Sequence, residues 1–425
     1  MSRKLVPQLR FPEFRDAGEW EEKSLSNLSA CRLSNGIFND PKKVGRGYKL
    51  INVSEMYIES SINEDSLSLI AISEDEFLKN KVENGDIFFT RSSLVKSGIA
   101  YSNIYLGYSD DVTFDGHLIR FRPNKEIVFP VFVNYLLKTE HVRNQFIARA
   151  KTATMTTIGQ SDVEAVRLSI PYINEQEKIA ECFASIDDRI TLETQKLDAL
   201  RLHKKGLMQQ LFPAEGQTLP QLRFPEFRDA DEWEENKLGD IAAIRSGTTP
   251  SRAKPEFYVK GSIPWVKTTD LNNSYIYTTE EKVTTLAKVK LNPEGSVLVA
   301  MYGGFNQIGR TGYLKIAAAT NQAISVLNVR EDKLTSLYLL IWLNAKIDYW
   351  KSFAISSRKD ANITGADVAA FPITFPSLPE QQKIADCLTS LDELIILQAQ
   401  KIDALKLHKK GLMQQLFPSI DEVSE

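Results

Sequence analysis

The sequence predicts an α+β protein built twice over, in which two globular modules are separated by two long helices packed as an antiparallel coiled coil. The plan is pseudo-twofold and pseudo-cyclic. Three observations predict it. The string LHKKGLMQQLFP occurs at Leu202–Pro213 and again at Leu407–Pro418. The string PQLRFPEFRDA occurs at Pro7–Ala17 and again at Pro220–Ala230. The segment ahead of each LHKKGLMQQLFP carries an apolar residue at alternating steps of four and three, the signature of a coiled-coil seam. Repeats are read first because they fix architecture. Here they divide the chain into a strip (1–19), a module (20–172), a helix (173–213), a linker with the second strip (214–232), a second module (233–377), a second helix (378–418) and a tail (419–425).

Taken in order, the first strip is Leu9–Phe14, LRFPEF, followed by Trp20. It has no apolar h-region, so it does not read as a signal peptide. The first module mixes short apolar strands and helices without βαβ regularity, which points to α+β rather than doubly wound architecture. Gly85–Thr90, GDIFFT, reads as a turn and a buried strand, and Phe132–Leu137 as a short helix. The module ends on VRLSIP.

The first helix is expected from about Asn174 to Leu211. Its seam is Ile179, Phe183, Ile186, Ile190, Glu193, Leu197, Leu200, Lys204, Leu207 and Leu211. At 1.5 Å per residue it is a rod of roughly 57 Å. The linker PAEGQT, Pro213–Thr218, carries the Pro and Gly expected of a break. The second strip, Leu222–Phe227, leads to Trp233 and a module nearly unrelated to the first. A few landmarks align: Gly295–Ala300 with Gly85–Thr90, Tyr338–Leu343 with Phe132–Leu137, and Ile363, Asp367 and Val368 with Ile158, Asp162 and Val163. The second helix, from about Pro379 to Leu416, repeats the seam as Ile384, Leu388, Leu391, Ile395, Gln398, Ile402, Leu405, Lys409, Leu412 and Leu416. Both seams break at the same places, Glu193 with Gln398 and Lys204 with Lys409. Polar seam positions specify register, so the two helices are expected to pair with each other. The first strip stands where a third copy would continue the second helix, so the two ends of the plan are expected to meet.

Composition narrows the function. Apolar residues make up 43% and charged residues 25%, the balance of a globular chain with a full core. No apolar run is long enough for a membrane span, so a cytoplasmic protein without membrane partners is expected. Cys31, Cys182 and Cys387 give no disulfide framework, and the last two, repeat equivalents beside the seam, read as small buried residues. The net charge of −3 does not announce nucleic acid, though the stretch Glu234–Thr374 holds 17 Lys and Arg against 13 Asp and Glu. There is no P-loop, no dinucleotide fingerprint, no nucleophile elbow and no His/Glu or Cys metal spacing. No catalytic residue and no metal ligand is therefore assigned.

What remains are polar loops of a kind that reads DNA. Arg and Lys reach phosphates or guanine edges, Asn and Gln suit adenine, and Ser/Thr hydroxyls reach either. In the first module these are Arg91, Ser92, Ser93 and Lys96 after the Gly85–Thr90 strand, and Arg149, Lys151, Thr152, Thr154 and Thr156 in a hydroxyl-rich loop. In the second they are Thr248, Thr249, Ser251 and Arg252; Lys267, Thr268 and Thr269; Tyr302, Asn306, Gln307 and Arg310; and Arg358 with Lys359.

The strip LRFPEF followed by Trp, the helix signatures Glu175–Cys182 and Glu380–Cys387, and the HKKGLMQQLF ends closely resemble the specificity subunit of Type I restriction–modification enzymes. The resemblance covers essentially the whole chain. It implies a subunit without catalysis of its own, whose modules are target recognition domains reading the two halves of an asymmetric site in double-stranded DNA. It implies paired helices that space the domains and dock two methyltransferase (modification) subunits, which bring S-adenosylmethionine and methylate adenine N6. Motor–nuclease (restriction) subunits would join, with ATP and Mg2+. The alternative reading of the residues is a coiled-coil scaffold whose modules bind proteins rather than DNA.

Overall fold

The computed structural model describes residues 5–38, 41–351 and 362–418. The tail 419–425 and residues 1–4 of the first strip fall outside them. The chain forms two compact units, Met1–Thr194 with Gln400–Glu425, and Gln195–Ala399. Each long helix, Ile173–Leu211 and Leu378–Leu416, thus gives its first half to one unit and its second half to the other.

In the first unit, Ile179, Ala180 and Phe183 pack with Leu412, Met413, Leu416 and Phe417. Lys409 Nζ lies 2.5 Å from Asp187 Oδ1, and Lys401 Nζ lies 2.7 Å from Glu193 Oε1. Partners that rise on one helix fall on the other, so the pairing is antiparallel. The second unit repeats this with Ile384, Ala385 and Leu388 against Leu207, Met208, Leu211 and Phe212. There Lys204 Nζ lies 2.5 Å from Asp392 Oδ1. The apolar seam residues are buried or half-buried, as their period requires. Lys204 and Lys409 break the seam because each reaches across to an aspartate on the facing helix. Cys182 and Cys387 are half-buried rather than buried, at the flank of the seam.

Each strip is clamped to the start of a long helix. Arg10 donates through Nε and Nη2 to Glu175 at 2.8 and 2.6 Å, and Arg223 does the same to Glu380 at 2.8 and 2.7 Å. The Arg10 and Glu175 side chains are only 6% and 1% exposed. Removing one partner of such a buried bidentate pair costs about 3–5 kcal/mol, because the other charge is left unpaired. The next residue of each helix serves the module. Gln176 accepts from Phe129 N and donates to Ile127 O and Pro171 O; Gln381 accepts from Thr335 N and donates to Lys333 O and Pro376 O. A buried amide with donors and acceptors all met fixes the module on its helix. Leu9 N donates to Gln415 O at 2.9 Å, so the first strip meets the end of the second helix, and Leu222 N repeats the bond to Gln210 O.

The modules share a plan. In the first, Ser34–Asn35, Leu118–Phe121, Ile87–Thr90 and Ser102–Ile104 form an antiparallel sheet. Beside it lie Ser68–Ile70, Val44–Ile51 and Val112–Phe114, the last pair parallel. In the second, Ala242–Ser246, Ile324–Val329, Val297–Ala300, Thr311–Leu314 and Ser274–Ile276 form the larger sheet. Glu281–Val283, Ile263–Val266 and Ala319–Thr320 form the smaller one. Gly85 and Gly295 open the central strands at φ 93° and 87°, a left-handed turn that glycine adopts without strain. The closing strands Arg167–Ile170 and Pro372–Phe375 pair with Glu21–Ser24 and Glu234–Lys237 behind each strip. Under the first module Trp20 meets Phe132 and Phe417 edge-on at 5.9 and 6.3 Å. Under the second, Phe212 meets Tyr338 and Trp342 at 5.9 and 5.4 Å.

Candidate nucleic-acid interface

In the first unit the buried strand Ile87–Thr90 runs out to Arg91. Arg91 N donates to His117 O at 2.9 Å, and Arg91 O accepts from Ile158 N at 3.0 Å. Ser92–Ser93 then pairs with Thr156–Thr157, which pairs with Lys151–Thr152. Two loops separated by some fifty residues thus become one small sheet that carries Arg91, Ser92, Ser93, Lys96, Lys151, Thr152 and Thr154. Arg91, Lys96 and Lys151 are exposed and form no ion pair among the described residues. Two expected contacts are engaged within the module. Thr156 is buried, with its hydroxyl 3.2 Å from that of Thr152. Arg149 ends its helix with Nη1 on Gln145 O at 3.1 Å, so its guanidinium caps carbonyls.

In the second unit the equivalent strand Val297–Ala300 runs out to Tyr302–Arg310. Ile363 N donates to Met301 O at 3.0 Å, repeating the bond between Ile158 and Arg91. Tyr302 and Asn306 are exposed, Gln307 and Arg310 half-buried, and Arg310 Nε donates to Asn306 O at 3.0 Å. Gly309, at φ 74°, would place a Cβ 2.7 Å from that of Trp350, so glycine is required. Arg358 and Lys359 lie outside the described residues.

The loop Thr248, Thr249, Ser251 and Arg252 lies beside Lys267. Thr248 N donates to Thr320 O at 2.8 Å, and Trp265 Nε1 donates to Thr248 O at 3.1 Å. The Thr249 hydroxyl bonds to the Gln322 amide oxygen. Lys267, expected to contact DNA, is bound by Glu280 and Glu281 at 2.8 Å each, and these carboxylates raise its pKa. Arg252 bridges to Glu281 at 2.8 Å and lies 4.3 Å over the Tyr258 ring. Charges neutralised locally add little bulk attraction for phosphate. Their worth is in fixed orientation. Thr268 and Thr269 sit on a turn closed by Lys267 N donating to Asp270 Oδ2 at 2.7 Å.

The comparison of units also exposes positions that sequence reasoning passed over. Ile37 N donates to Phe114 O at 2.9 Å as Thr248 N does to Thr320 O, and Asn52 N donates to Glu55 Oε2 at 2.7 Å as Lys267 N does to Asp270. Gly36–Phe38 and Asn52 are therefore the first module's counterparts of Gly247–Arg252 and Lys267. His117 joins them, exposed, with Nδ1 2.8 Å from Asp115 Oδ1. The one shared letter was glycine. A Cβ on Gly36 or Gly247 would collide with the carbonyl of Phe114 or Thr320. Among the described residues, no group of His, Cys, Asp or Glu is placed to hold a metal, and no helix is long and apolar enough to cross a membrane.

A duplicated helical scaffold that presents two dissimilar polar loop clusters defines a two-module recognition protein. The family described as Type I restriction modification DNA specificity domain matches residues 18–202 and 230–407, and the chain belongs to it. It is accordingly a Type I restriction–modification specificity subunit with two target recognition domains, and not a catalytic chain. The chain is 23% identical over 410 residues to the MjaX specificity subunit of a type I restriction enzyme from Methanocaldococcus jannaschii, covering 94% of this chain and 93% of that one. It is 21% identical over 357 residues to the MjaVIII specificity subunit of the same organism, covering 79% and 81%. Its fold matches the crystal structure of the Type-I restriction-modification S subunit from M. genitalium with a TM-score of 0.60 at 14% identity, covering 98% and 100%.

Proposed function

We propose that the two modules bind double-stranded DNA and read the two unlike halves of one bipartite site. The observation that carries this is the pairing of a near-identical scaffold with dissimilar loops at equivalent positions: Arg91–Lys96 in one unit and Tyr302–Arg310 in the other, and Gly36–Phe38 with Asn52 in one and Gly247–Arg252 with Lys267 in the other. Among the loop residues, Arg91, Lys96 and Lys151 supply phosphate contact, and Ser92, Ser93, Asn306 and Gln307 have the chemistry for base edges. Because the modules differ, the site is asymmetric.

The helix pair sets the gap between half-sites and docks two methyltransferase subunits. Supporting this, both units expose the same two leucines away from the seam: Leu192 and Leu407 in the first, 60% and 71% exposed, and Leu397 and Leu202 in the second, with the same values. Equivalent patches suit two copies of one partner. S-adenosylmethionine belongs to those partners, which methylate adenine N6, and ATP and Mg2+ to motor–nuclease subunits that join them. The complex works in the cytoplasm.

The test is to combine the chain with its methyltransferase subunits and map methylated adenines across genomic DNA. The expected result is one bipartite motif, and exchange of residues 20–172 for another module changes only one half of it. Methylation without a motif, or a motif indifferent to the exchange, would sink the proposal. The scaffold alternative predicts instead that duplex binding is weak and lacks a steep salt dependence.

A further inference from the structure

Both modules hold large apolar side chains in water at the same point of the fold, the loop that leaves the central strand. In the first, Leu94 is 85% exposed and Val95 beside it 61%. In the second, Phe305 is 44% exposed. These loops are pinned. Val95 N donates to Ser93 Oγ at 3.2 Å, Gly98 N donates to Val95 O at 3.0 Å, and Arg143 donates to Ser97 O at 3.0 Å and Ala100 O at 2.5 Å. Phe305 follows Gly303 and Gly304, both left-handed at φ 120° and 86°, and Gln307 N closes the turn on Gly304 O at 2.9 Å. An apolar side chain fixed outward, rather than folded back, keeps its burial in reserve for a partner.

The surroundings identify that partner. No Asp or Glu occurs from Arg91 to Ser109, from His141 to Ser161, or from Gly295 to Arg330. Arg91 and Lys96 flank Leu94 along the chain, Lys151 lies on the small sheet that Ser92–Ser93 joins, and Lys351 Nζ lies 5.9 Å over the Phe305 ring. An apolar tip rimmed by cations and hydroxyls matches a duplex, whose apolar base stack lies between rows of phosphate. We propose that Leu94 and Phe305 are wedges, each entering one base step of its half-site and unstacking it. Partial insertion of such a side chain kinks the helix and lets the flanking cations meet more phosphate. This rests on the DNA-reading function proposed above.

The experiment uses the full chain with its methyltransferase subunits and a duplex of the mapped site carrying 2-aminopurine at one position after another. Wild type is expected to raise the fluorescence at one step in each half-site, apart from the methylated adenine. Leu94→Ala should abolish one of these signals and Phe305→Ala the other, each weakening binding about tenfold; Leu94→Met should retain both. Both sites are surface positions, so unchanged melting curves separate these effects from misfolding. The wedge is overturned if binding weakens with no unstacked step in wild type, or if Leu94→Ala leaves the fluorescence unchanged. It is also overturned if Leu94→Ala spares DNA affinity but weakens binding of the methyltransferase, which would make the patch a protein surface. Failure to find any methylation motif would overturn the DNA reading itself, before any probe is placed.

Discussion

Lys138 shows how a single side chain records its surroundings. It lines a cavity of about 220 Å3 with Tyr135, Asp187 and Asp188, and burial pushes its pKa down to about 8, with Lys409 adding repulsion. Asp187 accepts from Tyr135 Oη at 2.7 Å and from Lys409, so it has little left to offer Lys138. A lysine in the unfolded chain titrates near 10.4. Lys138 is thus charged more readily when unfolded, and its penalty is full below pH 8 and gone above about pH 10.5. Lys138→Met is therefore expected to raise the melting temperature at pH 7, and its advantage over wild type to shrink as the pH rises from 8 to about 10.5. Parallel melting curves of the two proteins across that range would refute it. None of this was visible in the sequence, where Lys138 is one lysine after a short helix. Lys204 and Lys409 were visible, since they interrupt a regular seam, but their aspartate partners were not, because Asp187 and Asp392 lie off the seam positions.

At the scale of elements, the two long helices and two strips were legible because repetition and a 3.5-residue period are local properties. Register was less so. It is set in part by the pairs Asp187–Lys409 and Asp392–Lys204, which are half-exposed, so each is expected to contribute only about 0.2–1 kcal/mol. Lys409→Glu should lower the midpoint of urea unfolding by setting like charges together, and adding Asp187→Lys should restore most of the loss. A double variant no better than the single would show that the pair does not couple. The strips gain a specific role from the structure. LRFPEF looked like a signature of kinship, and it is the arginine in it that clamps Glu175 or Glu380. The repeated helix end likewise places Phe417 under the first module and Phe212 under the second. Each module's core is thus completed by the helix end of the other copy.

For the whole molecule, the division of labour follows from what is repeated. Near-identical segments build the scaffold twice, and unlike segments fill the two reading positions. Deleting one helical turn from each long helix, four residues at equivalent sites, should shorten the gap of the methylated motif while leaving both halves intact. An unchanged gap in the methylation map would remove the helices from that role. The sequence by itself determined the duplication, the seam, the family and the location of most polar loops, because these depend on spacing along the chain. Only the tertiary structure decided which loops share a surface, that Lys267 and Arg252 are held by Glu280 and Glu281, that Thr156 turns inward while Arg149 caps its own helix, and that Gly36–Phe38 and Asn52 stand where Gly247–Arg252 and Lys267 do. Those outcomes depend on pairings between residues distant in sequence, made by strand register and buried hydrogen bonds, and no local pattern encodes them.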